Sequence, residues 1–182
     1  GDDTLIGGSD NDNLDGGAGF DFADYSQSTD GGSTTGFFGV TVNLSTGTGI
    51  DNWGSTDTLS GIEGVVGSNL ADILTGDASS NVLQGNDGGD TLDGGAGFDY
   101  ASYFSATTGV TVSLANPALN TGEAAGDTLI SIEGLAGSNF NDVLTGDSSN
   151  NSLVGQGGAD VLDGGAGFDT ASYSDATTGV TV

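Results

Sequence analysis

The stretch from Gly67 to Ser102 decides the fold, because it reads GSNLADILT, GDASSNVLQ, GNDGGDTLD and GGAGFDYAS, four nine-residue units without a gap. The sixth position of each unit is polar and acidic or amidic, namely Asp72, Asn81, Asp90 and Asp99. The eighth position is apolar in every unit, namely Leu74, Leu83, Leu92 and Ala101. A polar turn and a short strand therefore alternate at a constant phase.

The same phase occurs in two further blocks of the chain. It returns from Gly137 to Ser172, where the sixth positions are Asp142, Asn151, Asp160 and Asp169. A partial copy opens the chain, with Asp3, Asp12 and Asp21 at the sixth position. Plain solvated turns or an acidic disordered tail would not require Asp at one phase and an apolar residue two positions later.

These units resemble the RTX repeat, GGxGxDxUx with U apolar, of the calcium-binding β-roll found in many secreted bacterial proteins. The resemblance implies an all-β fold, a right-handed parallel β-roll or β-helix solenoid with calcium-binding turns. With two nine-residue units, or nonads, in each 18-residue coil, the chain would form about ten coils.

The blocks are expected to belong to one continuous solenoid over residues 1–182. Steps of nine from Ala101 land on Val110 and Leu119, so the phase extends beyond the clear repeats. The clear nonad blocks are 1–24, 67–102 and 137–172, and the intervening solenoid coils are 25–66, 103–136 and 173–182.

Two local patterns refine this organisation. The GVTV motif recurs at Gly39, Gly109 and Gly179, and its spacing from the preceding repeat predicts an insertion loop near residues 30–37. Because the last GVTV stops at the chain end, the sequence is expected to be a fragment of a longer repetitive protein. Val110 and Val112 alternate with Thr111, which predicts a half-buried strand, while Leu59, Ile62 and Val65 are spaced by three, which predicts a bend between two strands.

The charge is extreme and of one sign. There are 26 acidic residues and no Lys, Arg or His, so the formal net charge is −26. Such a chain repels nucleic acid and anionic membrane surfaces, and it attracts metal ions or basic partners. No apolar run approaches the roughly 18 residues of a membrane span.

The charge pattern points to calcium. In an 18-residue coil, nonads n and n+2 stack, so Asp72 should face Asp90, Asn81 should face Asp99, and the same logic pairs Asp142 with Asp160, Asn151 with Asp169 and Asp3 with Asp21. Two carboxylates about 5 Å apart repel by roughly 3 kcal/mol at an effective dielectric of 20. A divalent cation reverses that sign, and oxygen donors with flexible geometry suit Ca²⁺ better than Zn²⁺, Cu²⁺ or Mg²⁺.

At least four calcium ions are expected. Glycine should allow positive φ angles, and the resemblance implies that backbone carbonyls of the glycine turns complete each ion's shell. The candidate metal-binding residues are Asp3, Asp12, Asp21, Asp72, Asn81, Asp90, Asp99, Asp142, Asn151, Asp160, Asp169, Gly7, Gly16, Gly85, Gly94, Gly155 and Gly164.

Two further residue types have competing interpretations. Glu63 and Glu133 could be metal ligands, but a solvated or turn-capping carboxylate is the simpler interpretation. Tyr25, Tyr103 and Tyr173 follow the GGAGFD turns and are expected to fill the core rather than stack on a ligand.

The function expected from these features is structural. The chain would be a calcium-dependent spacer module of a large secreted or cell-surface bacterial protein, of the adhesin or surface-layer type, that folds on binding calcium outside the cell. Without His, Cys or Lys it lacks the usual catalytic groups, so it is expected not to be an enzyme. The alternative is a repeat module attached to a secreted enzyme or toxin whose catalytic domain lies outside this sequence.

Partners and location follow from the same interpretation. Besides calcium, the partners could be other copies of the same protein or a cell-surface polysaccharide, with no nucleic acid and no membrane span. An extracellular or cell-surface location is expected because modest-affinity oxygen sites fill in millimolar calcium. The resemblance implies export by a type I secretion route, with the signal outside this sequence.

Overall fold

The structure is a computed structural model that describes residues 1–27 and 38–173. The expected insertion loop near residues 30–37 lies outside these ranges, as does the end of the last intervening segment. The strands are β1 (Thr4–Leu5), β2 (Asn13–Asp15), β3 (Phe22–Asp24), β4 (Thr41–Asn43), β5 (Thr48–Ile50), β6 (Thr56–Ser60), β7 (Gly64–Val66), β8 (Ile73–Thr75), β9 (Val82–Gln84), β10 (Thr91–Asp93), β11 (Tyr100–Ser102), β12 (Thr111–Ser113), β13 (Thr128–Ile130), β14 (Gly134–Ala136), β15 (Val143–Thr145), β16 (Ser152–Val154), β17 (Val161–Asp163) and β18 (Thr170–Ser172).

The described strands form three sheets around one core. The first sheet has the order β1-β3-β7-β9-β11-β14-β16-β18. The second has the order β13-β10-β8-β4-β5-β6-β2, and the third has the order β12-β15-β17. In the nonad blocks the chain alternates between the first sheet and one of the other two, and the strands pair in parallel. This is the all-β roll that the sequence predicts.

The register of the nonad blocks is 18 residues. Leu74 pairs with Leu92 in the second sheet, and Leu83 pairs with Ala101 in the first. These eighth-position side chains are all fully buried and belong to one apolar core cluster. Because the strands of the nonad blocks are only two or three residues long, one central apolar residue per strand supplies most of this core.

The intervening segments do not continue the 18-residue coil. After β3 the chain enters β4, which pairs ahead with β8, and it then returns through antiparallel β5 to β6, which pairs with β2. The second segment does the same with β12 and β13, but short 3-10 helices at Pro117–Leu119 and Gly122–Ala124 replace the returning strand.

This zigzag changes the coil count. Phe22 pairs with Gly64 and Tyr100 pairs with Gly134, so these coils use 42 and 34 residues instead of 18. The first sheet therefore has eight strands in the described ranges, compared with the expected ten or so coils. Leu119, which steps of nine place in the core, is 57% exposed because it lies on a 3-10 helix outside the sheets.

The half-buried strand predicted around Val110 and Val112 and the bend predicted between Leu59 and Val65 both occur in the structure. The last two residues of the GVTV motifs at Gly39 and Gly109 begin β4 and β12, and Val42 and Val112 are buried. The spacing of three marks the bend from β6 to β7, where Ile62 is buried between the strands. Among the described residues, no helix has the length and apolar character needed to cross a membrane.

Candidate calcium-binding turns

The sixth-position residues lie at two edges of the roll. We call edge 1 the set of turns that lead into the first sheet; its polar residues, in strand order, are Asp3, Asp21, Glu63, Asn81, Asp99, Glu133, Asn151 and Asp169. We call edge 2 the set of turns that lead into the second and third sheets; its acidic residues are Asp12, Asp57, Asp72, Asp90, Asp127, Asp142 and Asp160.

Hydrogen bonds connect these residues into a ladder along each edge. The backbone N–H of Asp72 donates to Oδ1 of Asp90 at 2.8 Å, and that of Asn81 donates to Oδ1 of Asp99 at 2.7 Å. The other three predicted pairs, Asp142 with Asp160, Asn151 with Asp169, and Asp3 with Asp21, make the same bond. Each carboxylate thus holds the start of the neighbouring strand.

Four members of the ladder come from the intervening segments. The N–H of Asp12 donates to Asp57 and that of Asp90 donates to Asp127, each at 2.9 Å. Asp57 and Asp127 were not among the predicted site residues, although NWGSTDTLS and GEAAGDTLI carry Asp at the sixth position and Leu at the eighth. That pair of positions was the signal that could have found them.

The other two members are the glutamates. Glu63 Oε2 accepts from the N–H of Asp21, and Glu133 Oε2 accepts from the N–H of Asp99, each at 2.9 Å. Both carboxylates therefore cap a neighbouring turn, and they occupy the places of sixth-position residues.

Tyrosines end the ladder at edge 2. The Tyr25 hydroxyl donates to Asp57 Oδ2 at 3.0 Å, and the Tyr103 hydroxyl donates to Asp127 Oδ2 at 2.8 Å. Both rings are buried, as expected for core residues, whereas Tyr173 is 42% exposed. Burial, followed by the Asp57 carboxylate, raises the pKa of Tyr25, so its hydroxyl remains a donor at neutral pH.

The first glycine of each turn makes room for the carboxylate. A Cβ at any of these glycines would overlap the side chain of the Asp five residues later, as at Gly85 with Asp90. The same holds for Gly7, Gly16, Gly94, Gly155 and Gly164. The positive φ angles expected of these glycines occur instead at the second and fourth positions, for example at Gly95 and Gly97.

In some turns both polar atoms of the sixth-position side chain have hydrogen-bond partners within the protein. Asp72 Oδ2 accepts from the N–H of Ser68, and its Oδ1 accepts from the Ser68 hydroxyl and the N–H of Val40. Asn81 Oδ1 accepts from the N–H of Asp77, and its Nδ2 donates to the carbonyl of Glu63. Asp142 and Asn151 repeat both arrangements.

Other turns leave a buried carboxylate oxygen without a hydrogen-bond partner. At the sixth position these are Oδ2 of Asp12, Asp21, Asp90 and Asp99. Burial raises the pKa of Asp90 to about 8, and the carboxylates of Asp127 and Asp72 add to the rise. Burial and then Glu133 raise the pKa of Asp99. An anionic carboxylate in these places is costly unless a cation neutralises it.

The donor set fits calcium. All side-chain groups at the two edges that could bind a metal are carboxylates or amides, and glycine leaves space that a Cβ would fill. Among the described residues, no three acidic side chains are grouped closely enough to hold an ion alone. Backbone carbonyls would therefore complete a shell of six to eight oxygens. The ligand role of the predicted residues remains a prediction.

Comparison with protein families agrees with this geometry. A family model described as the RTX calcium-binding nonapeptide repeat, in four copies, matches residues 1–23, 66–101 and 136–171. The match covers a little over half of the chain and coincides, to within one residue at each boundary, with the three nonad blocks.

Proposed function

The chain belongs to the RTX calcium-binding nonapeptide repeat family, and on that premise we propose that its function is structural. It would be a spacer module of a large secreted or cell-surface protein, of the adhesin or surface-layer type. Calcium-rich surroundings outside the cell would trigger its folding.

The observation that carries this proposal is the set of buried carboxylate oxygens with no hydrogen-bond partner at Asp12, Asp21, Asp90 and Asp99. The chain has no Lys, Arg or His that could neutralise them, and its net charge is −26. When bound, calcium supplies positive charge and accepts these oxygens as ligands. The aspartates hold the ion and orient the neighbouring turns, while the first-position glycines keep the carboxylates close to the backbone.

The thin core favours dependence on calcium. Most of the three-residue strands contribute one buried apolar side chain, and in β3 and β11 that side chain is only an alanine, Ala23 and Ala101. Each calcium site filled at a hundredfold over its dissociation constant adds roughly 2.7 kcal/mol of stability. Four sites would add about 11 kcal/mol, which is comparable to the whole stability of an ordinary domain.

A spacer role is favoured over an enzymatic one. The chain has no Cys, His or Lys to act as a base or nucleophile, so we propose that it has no catalytic activity of its own. Units of about seventy residues that repeat the same roll build length, which suits an adhesin or a surface assembly. Other copies of the chain or a cell-surface polysaccharide are the proposed partners.

Circular dichroism with and without calcium tests the proposal. In millimolar calcium the chain should give a β-rich spectrum, and after removal of calcium it should give the spectrum of a largely unfolded chain. Magnesium at the same concentration should restore little of the signal. A β-rich spectrum that persists unchanged in excess chelator would contradict a folding role for calcium.

A further inference from the structure

The buried carboxylate oxygens without partners are concentrated where the end of a nonad block meets the intervening segment that follows it. We call these places joints. At the first joint, turns 7–12 and 16–21 meet Asp57 and Glu63; at the second, turns 85–90 and 94–99 meet Asp127 and Glu133. In the described residues the buried carboxylate oxygens without a hydrogen-bond partner are Oδ2 of Asp12, Asp21, Asp51, Asp90 and Asp99 and Oε1 of Glu123.

Each joint brings a second carboxylate to the open one. Asp90 and Asp99 donate their N–H groups to Asp127 and Glu133 at 2.9 Å, so two carboxylates lie in adjacent turns at each edge. Asp51 and Glu123 belong to the intervening segments. Burial is the largest cause of the raised pKa of Asp51, and the charge of Asp57 contributes to it. Burial is also the largest cause of the raised pKa of Glu123, and the charge of Asp127 contributes to it.

The intervening segments also bring carbonyl oxygens to the joints. A Cβ at Gly94 would overlap both the Ser131 carbonyl oxygen and the Asp99 side chain. At the first joint, Gly16 has the Gly61 carbonyl oxygen and the Asp21 side chain in the same positions. Carboxylate and carbonyl oxygens therefore converge beside a glycine at edge 1 of both joints, which is the donor set that calcium prefers.

The turns at the start of each full block are different. In turns 67–72 and 137–142, serine donors satisfy both oxygens of Asp72 and Asp142. In turns 76–81 and 146–151, Nδ2 of Asn81 and Asn151 donates to the Glu63 and Glu133 carbonyls at 3.2 and 3.3 Å. The side-chain amide N–H of Asn81 or Asn151 thus contacts a carbonyl oxygen that would otherwise be available to a calcium ion.

We infer that calcium binds at the joints, at edge 1 with ligands from both the nonad block and the intervening segment and at edge 2 at the open carboxylates of Asp12 and Asp90, and that turns 67–72, 76–81, 137–142 and 146–151 are closed by Ser or Asn and hold no ion. This inference rests on the proposed calcium function. One ion at each edge of each joint gives four ions in the described residues. Calcium would then clamp each intervening segment to the block before it.

A reciprocal pair of variants at edge 1 tests the inference. Asp99→Asn converts an open turn into the type closed by an amide, and Asn81→Asp converts a closed turn into an open one. Asp163→Asn is the matched control, because it removes one charge from the exposed end of β17. Native mass spectrometry of the full chain in calcium counts the bound ions, and circular dichroism in the same buffer checks the fold.

We expect one ion fewer than the wild-type chain for Asp99→Asn, one more for Asn81→Asp, and no change for Asp163→Asn. Glu133→Gln, which keeps an acceptor for the Asp99 N–H, should weaken or lose the same ion as Asp99→Asn. If Asn81→Asp does not fold, loss of one ion in both Asp99→Asn and Glu133→Gln still supports the joint. Unchanged counts in those two variants would overturn it. A wild-type chain that binds no calcium would instead overturn the proposed function.

Discussion

Turns 67–72 and 85–90 differ in how their buried carboxylates are satisfied. Both turns donate the same backbone hydrogen bond to the next carboxylate along edge 2, Asp72 to Asp90 and Asp90 to Asp127. At the start of the block, Ser68 and Val40 donate to the two oxygens of Asp72. At the joint, one oxygen of Asp90 accepts from Asp72 and the other has no partner. The comparison shows that a repeated backbone geometry does not imply a repeated metal site.

The largest expected effect is the difference in calcium midpoint between the variants Asp90→Ala and Asp72→Ala. Asp90→Ala removes a calcium ligand, about 2.7 kcal/mol at a hundredfold over the dissociation constant, and one ladder hydrogen bond, about 1 kcal/mol. Asp72→Ala removes hydrogen bonds only. Calcium titrations followed by circular dichroism should therefore show a large rise in the calcium midpoint for Asp90→Ala and a smaller one for Asp72→Ala; equal rises would remove the distinction between the two turns.

Asp57→Ala should have the next largest effect, a loss of thermal stability. Asp57 is fully buried and accepts from the Tyr25 hydroxyl and the N–H of Asp12, so its loss leaves two donors unsatisfied, at about 1–3 kcal/mol each. Asp15→Ala, at an exposed position on β2, is the control. Melting in saturating calcium should separate the two variants by several degrees, and coincident curves would contradict the role of Asp57 at the joint.

Tyr103→Phe probes the end of the ladder with a smaller change. It removes the hydroxyl that donates to Asp127 Oδ2 but leaves the ring in the core, and the expected cost is about 1–3 kcal/mol. Tyr100→Phe, whose hydroxyl bonds to Ser152 at the partly exposed outer side of the first sheet, should cost less. Chemical denaturation of both variants in calcium measures the difference, and a larger loss for Tyr100→Phe would be inconsistent with this ranking.

The smallest expected effect is that of pH on the calcium-free chain. The ordinary pKa of Asp is about 3.9, and burial raises that of Asp90 to about 8. At Asp90 the folded chain therefore binds more protons than the unfolded chain between these values, so the contribution of Asp90 to stability is greatest below about pH 4 and falls as the pH rises toward 8. Residual β signal in calcium-free buffer should be greater at pH 5 than at pH 8, and Asp90→Asn should reduce the difference; the opposite slope would contradict the burial of Asp90.

The regular parts of the molecule were predictable from the sequence. The sixth and eighth positions of the nonads gave the turns, the strands, the 18-residue register and the stacked pairs, because a constant period places equivalent residues one above another. The zigzags were not predictable by counting, because β4 and β12 pair with strands that lie ahead in the sequence. Long-range pairing of this kind leaves no periodic trace.

The candidate site was predictable only in part. Asp57 belongs to the unit NWGSTDTLS, which lacks the opening glycine of the repeat, yet the structure buries it at the end of the edge 2 ladder. The difference between open and closed turns depends on which atoms donate to each carboxylate. A residue pattern such as GSNLAD contains the serine but does not reveal that its hydroxyl and N–H reach both oxygens of Asp72.

A crystal of the chain grown in calcium would show whether calcium binds in the edge turns, through the anomalous signal of the ion. Anomalous peaks are expected beside Asp12, Asp21, Asp90 and Asp99, with none beside Ser68 or Asn81. Peaks at every turn would contradict the distinction between open and closed turns. Absence of peaks at all of them would contradict the calcium assignment itself.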